Sequence, residues 1–441
     1  MTVSPRAGMR EFVPPAVVPA APMRVAHMLV ALVLAIAGAV PAFATAREFA
    51  IEVAAGTQAD RNGRLREGED EVRAGMRLGV GIEMLASHAS GIVVLPMPGV
   101  TTVPGASQEV EVPSESLRID AMRLQYHDAP DLDEDRYAVS YRRAVQGEAT
   151  GGALQLAAVD RDARTSEAGF GDGEAVRDDD QRRRELSAQL DGFHYLDEDT
   201  LVGADVAVLR TRFHDGTVRS LADFDVLALT ARLQRDLRLD ARIAFALSAD
   251  RFTSEFGGNR RVEDTLGLRV DYVLALSAST LLRLGAGVRR TDIDARFRQG
   301  GLRAQARDRQ AGLLGELALE HAWSGGDVAL SLARTRQPSG VGAQFERDEA
   351  SIVARVPLDD TRTATLLATF DRNRADGDGA RIPDERLWSL RAGMAWQLDE
   401  ALALDLQLGY RAQAIDGSAR TRADGAVAQV GIRYQLDPIT P

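Results

Sequence analysis

The sequence predicts an all-β chain: a transmembrane antiparallel up-and-down β-barrel of 18 strands (range 16–18), with short periplasmic turns and long extracellular loops. Three observations predict it. Apolar and polar residues alternate with a period of two over runs of about 10–14 residues. The connections between those runs are short and long in turn. The single long apolar run lies near the N-terminus, inside a leader pattern, and no later segment approaches the length of a spanning helix.

The leader comes first. After Met23-Arg24, an apolar run from Met28 to Val40 exits through Pro41-Ala42-Phe43-Ala44, a small-x-small cleavage pattern before Thr45. A cation, 13 apolar residues and a small-residue exit are the parts of a secretory signal peptide, so residues 1–44 read as signal, with translation starting at Met1 or at Met23. The mature domain is then 45–434, followed by a tail at 435–441. The whole chain of 441 residues has 53 Lys+Arg against 65 Asp+Glu, a net charge of −12, and no Cys. Acidity argues against a nucleic-acid partner, and zero cysteine excludes disulfides, thiolate metal sites and thiol nucleophiles. Every one of the cations is Arg, which GC-rich coding explains without any mechanism.

The strands follow in order. Phe49-Ile51-Val53 and Met76-Leu78-Val80-Ile82-Met84 open the series. Residues 237–249 place Leu237, Leu239, Ala241, Ile243, Phe245 and Leu247 on one side and Arg238, Asp240 and Arg242 on the other. Leu266-Leu268-Val270-Tyr272-Leu274 and Leu282-Leu284-Ala286-Val288 repeat the pattern. So do Trp388 to Leu398, and Leu402-Leu404-Leu406-Leu408-Tyr410. Ordinary strands average about 5–6 residues, whereas a tilted strand crossing a bilayer needs about 9–11. Tight links are expected at Arg235-Asp236, Ala275-Leu276, Ser324 to Asp327, Asp359-Asp360 and Asp399-Glu400. Long polar loops are expected at Arg164–Arg182, Arg251–Arg260, Thr291–Arg307, Arg336–Phe345 and Asp371–Glu385. Counting hairpins gives nine, from 47–56 with 75–85 to 401–415 with 422–434, which makes 18 strands. The segment 86–116, rich in Pro, is a periplasmic link or a lumen insert, or else the first hairpin is misplaced and the count is 16.

Alternation assigns the charged positions to a hydrated lumen, because Arg on the lipid face near the midplane costs about 2–4 kcal/mol. The candidate lumen-facing residues are Arg238, Asp240, Arg242, Arg269, Asp271, Arg283, Arg289, Arg355, Arg391, Asp405 and Arg411. Tyr272, Trp323, Trp388, Trp396, Tyr410 and Tyr434 lie near strand ends, where an aromatic girdle belongs, although a 5% aromatic share is low for such a barrel. Of the six His, none has metal-ligand spacing. Asp376-Gly377-Asp378-Gly379 fails the EF-hand pattern, since Ala380 and Arg381 stand at its fifth and sixth positions. The run Asp131-Leu132-Asp133-Glu134-Asp135 reads as a solvated loop between strands 117–127 and 136–146. No cofactor and no catalysis are expected.

The stretch from Trp323 to Asp371 combines a Trp-ended strand, a Gly turn, Ser331-Leu332-Ala333-Arg334-Thr335-Arg336-Gln337-Pro338-Ser339-Gly340, a polar strand and a tight Asp-Asp turn. With the last hairpin, Leu387-Trp388 through Tyr410 to Tyr434, it resembles outer-membrane β-barrel proteins associated with exopolysaccharide and PEP-CTERM export clusters, over roughly residues 230–434. That resemblance implies an envelope location and carries no catalytic residues. The functional expectation is a porin-like channel or the outer-membrane component of an envelope or exopolysaccharide export system in a Gram-negative bacterium. The alternatives are a non-conducting scaffold that binds surface polysaccharide or a partner and, remotely, an outer-membrane hydrolase using His321. The expected partners are outer-membrane lipid and lipopolysaccharide, the barrel assembly machinery and polysaccharide export components.

Overall fold

The computed structural model describes residues 48–61, 72–85, 114–127, 133–162, 182–214, 221–299, 302–340, 342–375, 384–416 and 421–439. Eighteen strands follow in chain order. They are β1 (Glu48–Arg61), β2 (Val72–Leu85), β3 (Ser114–Tyr126), β4 (Glu134–Gln146), β5 (Thr150–Asp162), β6 (Arg182–Tyr195), β7 (Thr200–His214), β8 (Asp223–Arg238) and β9 (Ala241–Phe256). Then come β10 (Asn259–Ser277), β11 (Thr280–Gln299), β12 (Leu302–Trp323), β13 (Gly326–Pro338), β14 (Gln344–Pro357), β15 (Arg362–Ala375), β16 (Asp384–Gln397), β17 (Leu402–Asp416) and β18 (Thr421–Ile439). Each pairs antiparallel with its sequence neighbours, and β1 also pairs with β18, so the sheet closes on itself. The upper count of the sequence range is the observed one, and the first hairpin lies where the alternation put it.

Closure satisfies the backbone along the ring, and the alternation sorts the side chains. One face carries exposed apolar rows: Leu247, Leu268, Val288 and Leu313 stand side by side on β9 to β12, each more than half exposed. The other face is polar and largely shielded, and its ion pairs skip strands, as Arg411 on β17 does in reaching Asp60 on β1 at 2.8 Å. Side chains on a convex surface diverge, so pairs that skip a strand mark the concave interior. Trp388 and Trp396 bracket the apolar band on β16. The eight residue steps from one to the other span about 27 Å of strand, close to the apolar height of roughly 25 Å typical of membrane barrels.

Several boundaries differ from the sequence expectation. The tight links expected at Arg235-Asp236 and Ala275-Leu276 lie at Leu239-Asp240 and Ala278-Ser279, because strand pairing continues past the expected points. The loops expected at Arg251–Arg260 and Thr291–Arg307 are mostly strand. β9 and β10 meet at Gly257-Gly258, whose φ values of 57° and 82° suit a two-residue hairpin turn. β11 and β12 pair out to Gln299 and Leu302. The expected tail begins inside β18, which runs to Ile439 and pairs Leu436 with Ile51. In the acidic run, Glu134 and Asp135 belong to β4, and Asp133 accepts the Tyr126 amide at 2.8 Å. The leader 1–44, the segment 86–113, the loop 164–181 and the motif Asp376 to Gly379 lie outside the described residues.

At the short-turn end one local device recurs. Leu196-Asp197, Leu358-Asp359 and Leu398-Asp399 each begin a turn in which the Leu amide bonds the carbonyl four residues on, at 2.9, 2.7 and 2.8 Å. Asp359 accepts the amides of Thr361 and Arg362 at 2.9 and 2.8 Å, with Arg362 Nε at 2.6 Å. Asp399 likewise accepts the amides of Ala401 and Leu402. Asx turns of this kind favour Asp or Asn for geometric reasons. The Arg362 side chain and the turn amides hold the Asp359 carboxyl well below its ordinary 3.8. Its stabilisation is therefore complete above the unfolded value and is lost only as pH falls through the depressed folded value. Asp359→Ala is expected to lower the unfolding midpoint in denaturant at neutral pH, and Asp359→Asn to recover most of it. Equal midpoints for the two variants would remove the turn role.

Candidate functional site

The ring is uneven at one place. β12 pairs with β13 only from Gly315↔Arg334 to Trp323↔Gly326, whereas β11 and β12 stay paired to their tips. Above Gly315, at the long-loop end, β13 therefore parts from β12, while β14 stays paired with β15 up to Phe345↔Ala375. The tip of the β13–β14 hairpin, at the described residues 335–340 and 342–345, turns into the barrel mouth and lies on the inner face of β8 to β11. Arg334, Arg336, Glu346 and Asp348 occupy the same alternation as the outward Leu332 and Ile352. It is this outer face of the hairpin that meets the inner face of the wall, as in two stacked sheets.

Arg336 is the central contact. Its Nη1 donates to Thr265 Oγ1 and Thr291 Oγ1 at 2.8 and 2.7 Å, and its Nη2 to Glu263 Oε2. Glu263, 0% exposed, also accepts Arg261 Nε at 2.5 Å and the Gln344 amide at 3.4 Å. Arg289 reaches from β11 to Glu346 on β14 at 3.3 Å, crossing the inside of the β12–β13 seam. It can lie there because its cross-strand neighbour is Gly312, where a Cβ would stand 2.7 Å from the guanidinium carbon. At the tip, Ser254 Oγ donates to the Gly342 carbonyl at 2.7 Å, and the Ala222 amide donates to the Gly340 carbonyl at 2.6 Å. Gly342 has a φ of 84°, a conformation that favours glycine.

Beneath the tip lies a small apolar cluster of Phe213, Leu221, Phe224 and Phe252, with the Arg183 guanidinium 5.9 Å over the Phe224 ring. The other face of the hairpin and the inner wall running on from β15 carry buried polar groups. Arg347 binds Asp371 at 2.5 and 2.8 Å and Gln337 at 3.0 Å. Glu385 accepts Gln413 and Asn373, and Gln58 donates to Tyr126 Oη at 3.1 Å. Burying this many charges costs desolvation, which the dense bonding offsets; such networks fix geometry more than they add stability.

Nine of the eleven sequence-predicted lumen residues share the inner face. Arg269 binds Asp271 at 2.6 Å and Glu316 at 2.5 Å; Arg283 binds Glu320 at 3.2 Å; Arg242 binds Asp236 at 2.6 Å; Asp405 binds Arg433 at 3.4 Å. Arg289 and Arg411 make the strand-skipping pairs above, and Arg355 and Arg391 line the wall opposite Asp327 and Gly409. Arg238 and Asp240 are the exception. They pair with each other at 3.3 Å at the exposed β8–β9 turn, because the strand ends there. Of the girdle set, Trp323, Trp396 and Tyr434 stand on the outer face at the short-turn end, Trp388 and Tyr410 toward the long-loop end, and Tyr272 shares the outer row of Leu268. The alternation did not single out Glu263, Thr265, Thr291, Arg336, Arg347 or Asp371. Charges at Arg334, Arg336, Glu346 and Asp348, where neighbouring strands carry Leu or Ile, are the signal that could have.

His321 Nδ1 lies 2.8 Å from Thr280 Oγ1 on the exposed short-turn rim, stacked on Trp323; its hydroxyl partner is a threonine. Among the described residues no group of His, Asp and Glu is arranged to hold a metal, and no helix is long and apolar enough to cross a membrane, which says nothing of strands.

No protein-family model matches the chain, and no curated protein matches it. Solved structures similar to it include the siderophore receptor PiuA from Acinetobacter baumannii, at TM-score 0.44 and 8% identity over 88% of this chain and 82% of that one. The siderophore receptor PirA from Pseudomonas aeruginosa gives 0.43 and 11% over 88% and 80%. The ferric citrate transporter FecA in the unliganded form gives 0.46 and 7% over 89% and 79%.

Proposed function

We propose that the protein is a channel-forming barrel of a Gram-negative outer membrane, closed at its long-loop mouth by the tucked β13–β14 hairpin. The membrane part of this reading rests on the exposed apolar rows between aromatic ends, a surface that water disfavours and acyl chains accept. The leader at 1–44 fits export from the cytoplasm. The channel part rests on a single observation. A segment at the mouth is held against the inner wall, chiefly through Arg336 on Glu263, Thr265 and Thr291, while the neighbouring strand keeps its edge above Gly315 unpaired with β13. A hairpin fixed in this way can withdraw without breaking the ring below it. The lower lumen, lined with opposed charges, then passes small hydrophilic solutes. The resemblance to barrels of exopolysaccharide export clusters supports an exported glycan chain as the larger cargo of the same lumen.

The test is single-channel recording on the purified mature barrel in planar bilayers. Rare openings are expected from the native chain, with voltage or mild urea raising their frequency before the barrel unfolds. A chain that stays silent under all these conditions, while still migrating differently when boiled and unboiled, would be a non-conducting scaffold instead.

A further inference from the structure

β12 has a strand on one side only over much of its length. It runs from Leu302 to Trp323, yet β13 pairs with it only from Trp323↔Gly326 up to Gly315↔Arg334. Above Gly315 it pairs with β11 alone, out to Leu302. A return of β13 to the wall does not cover this edge. In the register of Gly315↔Arg334, Pro338 at the end of β13 comes no higher than Ala311. Residues 304–309 are exposed on both faces of the ribbon.

The bonding along the strand says which groups are open. The Ala322 amide donates to the Ser279 carbonyl at 2.8 Å, on the β11 side. β11 and β12 pair without a register shift, so even-numbered residues of β12 bond β11 and odd-numbered ones point their amides and carbonyls the other way. Gln305, Arg307, Arg309 and Ala311 therefore present donors and acceptors at the open edge. Asp308 Oδ1 meets the Arg309 amide at 2.7 Å, in the place that the carbonyl of a neighbouring strand takes, and Gln310 steadies that carboxylate at 2.9 Å. Edges of this kind are templates for an added strand, and proteins often blunt them with proline or a bulge. Residues 304–313 contain neither.

The side chains select the occupant. On the outer face of β11 and β12 above Leu313, Arg290, Arg296, Arg307 and Arg309 stand against Asp292 and Asp294. Arg309 binds Asp292 at 2.7 Å. Arg307, 77% exposed, lies 3.7 Å from Asp294, whose oxygens Gln305 already holds at 3.0 and 2.9 Å. A residue directly across from Arg307 is favoured when it is anionic. A second copy does not fit. Two copies in one membrane run β12 in the same direction and set the arginines of one beside those of the other.

We propose that the β12 edge from Gln305 to Ala311 takes up an extended acidic polypeptide segment as an added antiparallel strand, its carboxylates across from Arg307 and Arg309. Main-chain bonds supply the attachment and the alternate side chains the selectivity. The six residue steps span about 20 Å. Uptake needs neither conduction nor movement of the hairpin tip, so a silent channel leaves it standing.

The test uses the full mature barrel in nanodiscs and a fluorescent peptide of about ten residues in which Asp alternates with Val, long enough to cover the edge. One control peptide carries Lys in place of Asp. Another is N-methylated at its Asp residues and lacks the amides that face β12. Fluorescence anisotropy reads the affinity. The native chain is expected to bind the Asp peptide about tenfold or more tightly than either control. Ala311→Pro removes one edge amide without touching the bonds to β11, and should weaken binding about fivefold. Arg307→Glu should turn the preference toward the Lys peptide. Equal binding of the Asp and N-methylated peptides, or of the native chain and Ala311→Pro, overturns strand addition. Equal binding of the Asp and Lys peptides overturns the acidic guest, and a concentration-dependent dimer that Ala311→Pro abolishes gives the edge to a second copy instead. Heat-modifiable migration of every variant reports insertion separately, so a failed barrel is not mistaken for a failed edge.

Discussion

Replacing Arg336 by Ala is expected to leave the barrel folded and to hold its mouth open, raising the fraction of time that single channels conduct. The expectation follows from where the charge goes. Glu263 is fully shielded and accepts from both Arg336 and Arg261, so deleting Arg336 leaves the carboxylate with one of its two cations while Thr265 and Thr291 lose their donor. Breaking a buried pair costs up to about 3–5 kcal/mol, an upper bound here because Arg261 stays on Glu263. That is enough to shift a closed-to-open ratio by up to roughly two to three orders of magnitude. The strain has an outlet, because withdrawing the tip rehydrates Glu263 and exposes only the small Phe213–Phe252 cluster. Most of the ring pairing, including β12 with β13 below Gly315, lies outside the tip and stays intact. The discriminating control is Glu263→Leu with Arg336→Leu. Replacing both partners with apolar groups is often neutral or better for stability, so this variant should stay closed while the single substitution opens. Two equally silent variants would show that the tip does not occlude the path; two equally open ones would show that bulk rather than the ion pair held it.

How much of this was legible in the chain depends on how local the cause is. Strand identity was legible at Leu402 to Tyr410 and Leu266 to Leu274, because a period of two separates the faces whatever the strand pairs with. Lumen orientation of Arg269, Asp271 and Asp405 follows from the same parity. Turn positions were less legible. Leu237 and Leu239 continue the alternation into the turn, so periodicity alone set the link about four residues early. The tucked hairpin was not legible at all, because it depends on β13 leaving β12 at Gly315 and on Glu263 lying some seventy residues before Arg336. Parity marks Arg334, Arg336, Glu346 and Asp348 as outward, and contact with the inner wall explains how Arg336 and Glu346 are nonetheless shielded.

Leu268→Arg should be the most damaging single substitution on the outer face. Leu268 lies midway along β10, flanked by Leu247 on β9 and Val288 on β11, all exposed by about half or more. In water a surface arginine there would be harmless, and surface changes usually move stability by less than about 0.5 kcal/mol. In a bilayer the same residue sits near the midplane, where Arg costs about 2–4 kcal/mol, and no inward partner is within reach because the alternation turns Arg269, Asp271 and Glu316 to the other side. The comparison is Leu239→Arg, in the exposed β8–β9 turn beyond the apolar rows. In lipid vesicles, denaturant should unfold Leu268→Arg well before the native chain and Leu239→Arg together with it. Heat-modifiable migration follows both transitions. Because the two changes add the same side chain and differ only in depth, a shared midpoint would mean that the Leu rows do not meet acyl chains. An early transition for Leu268→Arg alone has no explanation on a barrel surrounded by water.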